Sequence, residues 1–490
     1  MQYEPLYVKC PLTTAPLPSP RPQPATSATF TTMEEMHNQA FLDRMQAWLD
    51  EALAWMIAVA RGDANPPSRP DCFVASNDEA FKPKARGYIW DLRRVTEGII
   101  TPLDFTAKQA SDWNVPWLRE QWRQYVDQEA VSHACDGANL KLELDYQYCF
   151  SPHLLSLADG YAECIDDLVA LRDEGFYAWF NTLPFCPCRF NGQGTRPKGL
   201  GFRRIASGSC PYEPILDSSG RLAYSINADS RRLRAERGVT VARKAWRTAF
   251  LATIFVLLLT KVIRFWPCLH AARKRFRKEV KPRVRDAMRN TVVFRAVGDR
   301  IGQPVYYFSD DFRAFFYQVK LAVHCLWFSG IYMYDPVSAM GVFIVELVLA
   351  MGYSPSSNIA QMVCDAILYI FDNMMEEAET HACDTSDELL AWMAARAAKF
   401  RHQPAQSRPW TSKGYTDDCL FTFLGLFRFV RGVCVWRRLL RTARIQGAKA
   451  DKRQAGTWVL FLGVTLFATA VIASVPEHKL VRALLGLAQL

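Results

Sequence analysis

Two carboxylate-bearing segments interrupt the apolar second half of this chain and limit how it can fold. Residues 306–321 (YYFSDDFRAFFYQVKL) form an aromatic run that delivers Asp311 and then continues. Residues 414–423 (GYTDDCLFTF) place Asp417 and Asp418 directly before a second apolar run. A carboxylate at the end of a buried strand is costly to desolvate, and a divalent cation is the usual compensation. We therefore expect both segments to be strands whose carboxylates share one cation site.

The adjacent aspartates Asp417 and Asp418 favour a tight hairpin. Successive side chains of a strand point to opposite faces, whereas at a turn both carboxylates can approach one cluster. Three carboxylates around two Mg²⁺ ions form a clamp for in-line phosphoryl transfer, in which one ion activates the attacking hydroxyl and the other steadies the leaving group. An isolated Asp-Asp pair is more often a solvated turn, so this assignment depends on the surrounding motifs.

Three segments resemble the catalytic motifs of the reverse transcriptase family. Asp311-Phe-Arg-Ala-Phe-Phe-Tyr is similar to the first motif of the polymerase palm, and Tyr415-Thr-Asp-Asp is similar to its second metal motif. Between them, residues 351–361 (MGYSPSSNIAQ) resemble the glycine loop that continues into a helix. The positions that match this loop are Gly352, Ser356 and Gln361. Pro355 stands one step early compared with the family, which commonly has Ser-Pro at residues 356–357.

The flanking segments agree with this resemblance in kind and in order. Residues 281–286 (KPRVRD) are similar to the basic fingers segment, residues 447–453 (GAKADKR) to a lysine-bearing turn, and residues 458–463 (WVLFLG) to a hairpin near the primer end. The distance from the glycine loop to the aspartate pair is longer than in the family. We attribute the excess to an additional helix within residues 376–412, because Thr385 and Glu388 there have capping-box spacing.

The first motif contains two adjacent aspartates, and the aromatic residues favour Asp311 over Asp310 as the metal ligand. In that register Phe316 and Tyr317 fall where the family carries its aromatic pair, and Asp310 becomes a neighbour at the strand edge. The resemblance also implies that Phe316, five residues after Asp311, excludes a ribose 2′-hydroxyl. An apolar ring cannot satisfy that hydroxyl, so deoxynucleotides are favoured.

The resemblance implies a role for each matched residue. Asp311, Asp417 and Asp418 would bind two Mg²⁺ ions, which Mn²⁺ could replace. The residues expected at the incoming nucleotide are Lys281, Arg283, Phe316 and Gln361. The residues expected to support the template and primer are Gly352, Ser356, Lys449 and Lys452, of which Lys449 or Lys452 is also a candidate to protonate the leaving group.

We therefore predict an α+β fold with a polymerase palm, in which a small antiparallel sheet is backed by helices. Residues 1–32 are predicted to be a disordered Pro/Ser/Thr-rich tail, 33–245 a mainly helical region of unknown function, 246–300 basic fingers, and 301–490 the palm without a thumb. The predicted function is RNA-directed DNA synthesis by a retroelement enzyme, gypsy-like or similar to elements with a tyrosine recombinase. Its partners would be an RNA or DNA template-primer and deoxynucleoside triphosphates.

Charge and targeting signals fit an intracellular nucleic-acid partner. The net charge is +10, and residues 261–289 contain eleven Lys or Arg against two acidic residues. Clustered positive charge is what a polyanion requires, although it is equally typical of a solvated or membrane-surface face. Met1 to Ser19 has no apolar signal-peptide core, and the cysteines are typical of a reducing compartment. We expect a location in the cytoplasm or nucleus rather than secretion.

Three other interpretations remain open at this stage. The chain could be an inactive retroelement remnant that only binds nucleic acid, because it ends soon after residues 458–463. It could be a membrane protein that uses apolar residues 248–260 and 454–476. The second of these segments fits a strand pair at least as well, because it is rich in β-branched and aromatic residues and contains Gly456 and Gly463. A two-metal nuclease would not explain Phe316 or the glycine loop.

Overall fold

The computed structural model describes residues 33–75, 112–140, 148–180, 189–205, 281–322, 325–326, 329–350, 355–382 and 385–476. Helices occur together with small, mostly antiparallel sheets, which is compatible with the predicted α+β class. Several predictions lie outside the described residues: the tail 1–32, the apolar segment 248–260, most of the basic stretch 261–289, and Gly352.

Nine α-helices occur in the described part of the chain. They are α1 Met33–Arg61, α2 Val115–Gln121, α3 Gln128–Cys135, α4 Tyr161–Asp173, α5 Val284–Ile301, α6 Phe315–Gln318, α7 Ser356–Thr380, α8 Asp387–Lys399 and α9 Leu426–Ala443. Short 3₁₀ turns lie at Leu155–Gly160, Pro404–Ser407 and Ala450–Lys452. The helix α9 shows why these segments are helical, since its buried residues Gly432, Trp436 and Leu439 recur every three or four positions.

Fifteen strands form four sheets among these residues. They are β1 Phe73–Ala75, β2 Tyr148–Phe150, β3 Tyr177–Phe180, β4 Arg189–Phe190, β5 Gly194–Lys198, β6 Gly201–Ile205, β7 Val305–Asp311, β8 Gly330–Asp335, β9 Met340–Glu346, β10 Trp410–Tyr415, β11 Asp418–Leu424, β12 Gln454–Gly456, β13 Trp458–Phe461, β14 Val464–Phe467 and β15 Ile472–Ser474.

The largest sheet joins the two halves of the chain. Its strand order is β1-β2-β4-β8-β9-β3, so strands from before residue 191 flank the β8–β9 hairpin on both sides. A continuous apolar core runs from α1 through this sheet to α7 and α9. The predicted division between residues 33–245 and 301–490 is therefore not a boundary between sheets. The region predicted to be mainly helical contains α1 to α4 together with six short strands.

A four-stranded antiparallel sheet of order β10-β11-β7-β12 carries the candidate site. The helices α7 and α9 pack on one face of this sheet, where Phe371, Phe421 and Trp436 meet with ring centroids 4.6 to 5.9 Å apart. The helix α5 packs against β7 and β11 in a second, smaller core that also includes β13 and β14. Helices therefore cover both faces of the strands that hold the aspartates.

The apolar segment at residues 454–476 forms strands, as its composition predicts. The strands β13 and β14 pair as a hairpin, with Trp458 opposite Phe467 and Phe461 opposite Val464, and β15 adds a third strand. Within the described ranges, no helix is both long enough and apolar enough to cross a bilayer. Residues 454–476 form short strands, so the membrane interpretation cannot use them as a spanning helix.

The additional helix before the aspartate pair is present as α8, but its cap differs from the one predicted. The Ser386 hydroxyl, not that of Thr385, accepts the N–H of Leu389, at 3.3 Å. Thr385 lies one residue earlier, where its hydroxyl accepts from Arg428 at 3.5 Å. Both residue types cap helices well, so side-chain preference alone could not choose between these neighbours.

Candidate active site

The aspartate pair lies at a tight hairpin between β10 and β11. Tyr415 pairs with Asp418, which leaves Thr416 and Asp417 as the two turn residues. Thr416 has a φ of 61°, in the left-handed region that is unfavourable for a residue with a β-branched side chain. The turn therefore needs support from the rest of the structure.

Strand pairing brings the third carboxylate to the same hairpin. The strands β7 and β11 are antiparallel with Asp311 directly opposite Asp418, so both side chains project from the same face of the sheet. The Phe312 N–H donates to the Asp417 carbonyl at 3.1 Å, which ties the end of β7 to the turn. Two segments more than a hundred positions apart in sequence thus meet at their acidic residues.

The three carboxylates influence one another electrostatically. Burial, followed by the charges of Asp417 and Asp311, raises the pKa of Asp418 to about 6. Burial and the charge of Asp311 also raise the pKa of Asp417. One oxygen of Asp311, Oδ1, is buried without a hydrogen-bond partner among the described residues. The end of the sheet therefore accumulates negative charge that protein groups compensate only in part.

The positive charge of Lys452 compensates part of the negative charge of the three carboxylates. Its Nζ lies 3.2 Å from Asp311 Oδ2, and its positive charge also lowers the pKa values of Asp417 and Asp418. The chain before it is fixed to the strand end, because the Ala448 N–H donates to the Asp311 carbonyl at 2.6 Å. Lys449 is the residue directly before the following 3₁₀ turn, and its side chain is exposed and makes no capping hydrogen bond. Of the two predicted lysines, only Lys452 contacts a site carboxylate in the described structure.

Asp310 has a different environment from its neighbour. It is 3% exposed, and it accepts hydrogen bonds from Trp436 Nε1 at 2.9 Å and from Arg453 Nε at 3.2 Å. Asp310 lies opposite Cys419 of β11 and one residue beyond the pairing of β7 with β12, which ends at Ser309. Burial and two donors make Asp310 part of the structural support behind the site.

Gln361 and Lys281 hold the hairpin. The Gln361 amide donates to the Gly414 carbonyl and accepts from the Thr416 N–H, both at 2.9 Å, and it is 2% exposed. Lys281 Nζ donates to the Thr416 hydroxyl at 3.2 Å and lies 4.6 Å from the centroid of the Tyr415 ring. The buried amide therefore supports the strained turn.

The remaining predicted residues lie around this centre. The Ser356 side chain is buried and donates to the Ala350 carbonyl at 2.7 Å at the start of α7. Phe316 is partly buried against the main core, one residue after the fully buried Phe315. Arg283 lies at the N-terminus of α5 with its side chain exposed. Within the described residues, no hydrogen bond or ion pair joins the side chain of Arg283, Phe316 or Ser356 to the three carboxylates.

The sequence interpretation missed two residues that support the site. Trp436 and Arg453 both bind Asp310, and they come from α9 and from the end of the lysine-bearing turn. Trp436 looks like any core position of an amphipathic helix, so its sequence carries no sign of this contact. Arg453 lies directly after Lys452 in a segment that was already assigned to the site, and that proximity was the available signal.

The carboxylates do not form a preassembled metal centre. Among the described residues, no three His, Cys, Asp or Glu side chains are grouped so that they could ligate one ion together. A bound cation would nevertheless give the unpartnered Asp311 Oδ1 a partner. It would also lower the raised pKa values of Asp417 and Asp418 by stabilising their charged forms. Oxygen ligands of this kind suit Mg²⁺.

Sequence comparison finds no matching protein family and no matching curated protein. Among solved structures, the chain is similar to apo telomerase from Candida tropicalis, with 10% sequence identity and a TM-score of 0.33 over 64% of this chain. The match spans about half (52%) of that telomerase chain. At this level of similarity the match assigns neither a family nor an activity to the chain.

Proposed function

We propose that this chain is a nucleotidyltransferase that extends a primer 3′-hydroxyl with deoxynucleotides, directed by an RNA template. The supporting observation is the β7–β11 pairing, which sets Asp311 opposite Asp418 and beside the turn residue Asp417. Together with the order of the motifs, this arrangement favours a reverse transcriptase of a retroelement, gypsy-like or similar to elements with a tyrosine recombinase. In this proposal β10-β11-β7-β12 with α7 and α9 forms the palm, and residues from 246 to 300 contribute basic fingers.

Asp311, Asp417 and Asp418 would hold two Mg²⁺ ions, for which Mn²⁺ could substitute. When bound, such ions lower the pKa of the attacking hydroxyl and neutralise the triphosphate. The unpartnered Oδ1 of Asp311 supports this assignment, because a buried carboxylate oxygen without a donor is unfavourable. Lys452 would have to release Asp311 Oδ2 to make room, and its exposed side chain allows that movement.

The protein groups around the carboxylates would orient the reactants. Lys281 lies at the hairpin and would neutralise the triphosphate, with Arg283 at the same end of α5. Once released from Asp311, Lys452 would be available near the leaving group. Gln361 would act as a positioning residue through Gly414 and Thr416.

The choice of sugar would depend on Phe316. Its ring packs against the main core, so it is held in place rather than free to swing away. A fixed apolar ring near the sugar would disfavour a ribonucleotide, because the 2′-hydroxyl would lose its hydrogen bonds to water without gaining a partner. Primer extension with deoxynucleotides should therefore exceed extension with ribonucleotides.

Primer extension on an RNA template in Mg²⁺ tests the proposal. Asp417→Asn should abolish extension, because it removes one of three charges that would hold the ions. The control Asp173→Asn changes an exposed carboxylate that is paired with Arg172 on the surface, and it should extend like the parent. Extension by Asp417→Asn at the parental rate would contradict the metal assignment. Template cleavage without extension would instead favour a nuclease.

A further inference from the structure

A second polar cleft lies along β10, beyond the carboxylate cluster. It has a volume of about 580 Å³ and lies between the first half of α5, the end of α8 with the 3₁₀ turn Pro404–Ser407, and residues 408–413. Clefts that bind small molecules and cofactors have volumes of roughly 300–1,000 Å³. Lys413 lies two residues before the end of β10, and none of Asp311, Asp417 and Asp418 lines the cleft. The cleft is therefore large enough for a nucleotide and separate from the carboxylates.

The cleft carries an excess of positive charge. Six charged side chains line it: Arg289, Arg396, Arg408, Lys413, Asp286 and Asp372. Arg408 is paired with Asp372 at 2.8 Å and with Glu376 at 2.6 Å, so its charge is compensated within the protein. In the part of the chain that the structure describes, Arg289, Arg396 and Lys413 have no carboxylate within ion-pair distance. These three side chains line the cleft without an acidic partner, so an anion that enters the cleft could bind to them.

Arg396 is held in the cleft by neutral partners. Its guanidinium donates to the Gln406 carbonyl and, at 3.1 Å, to the Gln406 side-chain oxygen, and it lies 4.8 Å from the centroid of the Phe400 ring. Partial burial lowers the pKa of Arg396. A partly desolvated cation without a counter-charge is stabilised when an anion binds.

A buried hydroxyl in the same cleft has no partner. Thr411 Oγ1 is inaccessible to water and makes no hydrogen bond among the described residues. Thr411 lies on β10 between Trp410 and Ser412, and all three residues line the cleft. Because other atoms cover this hydroxyl, the side chains around it have to shift before a phosphate oxygen can accept its hydrogen, as hydroxyl side chains often donate to phosphate.

We propose that this cleft binds the phosphate of a nucleoside phosphate, either free or as one unit of a single nucleic-acid strand. Arg289 and Lys413 contact the phosphate, Thr411 donates to it, and the base lies toward Phe400. The inference does not depend on the proposed polymerase activity, because it requires no reaction and no divalent cation.

Two sets of variants test it in the full-length chain. Arg289→Gln/Lys413→Gln removes two of the three unpaired charges and leaves Arg396, and Thr411→Val removes the hydroxyl while retaining the shape. The control Arg119→Gln/Arg123→Gln removes the same charge from α2 and the turn that follows it, outside the cleft. Binding is measured by fluorescence anisotropy with a labelled oligothymidylate and by competition with dTTP. EDTA is present throughout, so that a divalent cation at the carboxylates plays no part.

The double cleft variant should bind about tenfold more weakly than the control. Its dependence of log K on log salt should be shallower by about 0.7, which corresponds to one phosphate that is no longer neutralised on a single strand. Thr411→Val should bind severalfold more weakly while its ligand-free melting temperature stays the same or rises, because no hydrogen bond is lost. If only the double variant binds more weakly, the phosphate binds in the cleft but does not accept a hydrogen bond from Thr411.

The two probes separate the two sources of phosphate. Competition by dTTP that is weakened in the cleft variants points to a free nucleotide, whereas a loss seen only with the oligothymidylate points to a strand. The proposal is overturned if both cleft variants bind both probes as the control does. Melting temperatures of all variants show whether a change in binding reflects misfolding.

Discussion

Asp310 and Asp311 are adjacent in β7, yet strand geometry directs their side chains to opposite faces. Asp310 faces the helices and accepts hydrogen bonds from Trp436 and Arg453. Asp311 faces the hairpin, where it meets Asp418 and Lys452. At this scale, two identical residues acquire different chemistry from the direction in which the backbone points them.

Gln361 offers a test of how strongly one side chain supports the hairpin. Gln361→Met should lower the free energy of unfolding by roughly 2–4 kcal/mol, because it leaves the Thr416 N–H and the Gly414 carbonyl buried without partners. Primer extension should fall as well, since the turn that carries Asp417 loosens. Urea denaturation measures the first effect. The exposed control Gln46→Met should change stability by no more than about 0.5 kcal/mol, and an equal effect in both variants would contradict the positioning role.

His153, an isolated histidine in the sequence, should make stability depend on pH. Burial lowers its pKa from 6.5 to about 4. Its Nε2 donates to the Tyr332 carbonyl at 2.7 Å and its Nδ1 accepts from the Gln193 N–H at 2.9 Å, so the folded protein holds the neutral ring. Between these two pKa values the unfolded chain binds a proton that the folded chain does not.

Stability from His153 is therefore complete above pH 6.5 and is lost as the pH falls toward 4, by up to roughly 3 kcal/mol. Urea denaturation at several pH values measures this slope. His153→Gln lowers stability at every pH because it disturbs the same hydrogen bonds, but its slope over this interval should be flatter than that of the parent. Parallel slopes for parent and variant would show that His153 is not the titrating group.

At the scale of elements, the candidate site depends on how closely β10 approaches α7. A Cβ at Gly414 would lie 2.3 Å from Cys364 Sγ and 2.9 Å from Leu368 Cδ1, so only glycine fits at this point. The close approach lets the Gln361 amide of α7 reach both the Gly414 carbonyl and the Thr416 N–H. The geometry of the turn therefore depends on the packing of α7 against β10.

Gly414→Ala should destabilise the protein by about 1–3 kcal/mol and slow primer extension, because overpacking pushes β10 away from α7. The matched control is Gly201→Ala, where the nearest atom to the new Cβ would be Glu163 Oε1 at an ordinary 3.6 Å. Adding Cys364→Ala to Gly414→Ala should recover part of both losses, since it removes the clashing sulfur. Thermal denaturation and extension rates measure both. If the double variant shows no recovery, the clash is not the cause.

At the scale of the whole molecule, the β8–β9 hairpin lies between strands from the N-terminal half. The strand β4 pairs with β8 and the strand β3 pairs with β9. Tyr161 of α4 also donates to the Tyr334 carbonyl at 2.7 Å. Strands from the half of the chain without an assigned function therefore pair with strands from the half that carries the aspartates.

A chain shortened to residues 246–490 should fail to fold cooperatively, because β8 and β9 would lose both neighbours and the aromatic core would be exposed. We expect binding of the dye ANS and a broad thermal transition. Removal of residues 1–32 alone, which composition predicts to be disordered, should leave a cooperative transition. A sharp transition for residues 246–490 would mean that the two halves are independent domains.

Local sequence patterns alone predicted much of the secondary structure around the aspartates. The aspartate hairpin and the strands at 454–476 follow from turn residues and β-branched composition, which act within a few residues. The additional helix α8 lies where the sequence predicts it, although Ser386 and not Thr385 is its cap. The sequence also favoured Asp311 over its neighbour, and the pairing with β11 sets Asp311 opposite Asp418.

Only the tertiary structure decided what surrounds those aspartates. Lys452 reaches Asp311, Gln361 holds the turn, Trp436 and Arg453 enclose Asp310, and strands from both halves share one sheet. Each of these contacts joins residues that are far apart along the chain. Their formation depends on the packing of helices and sheets against one another, and a short sequence pattern does not encode that packing.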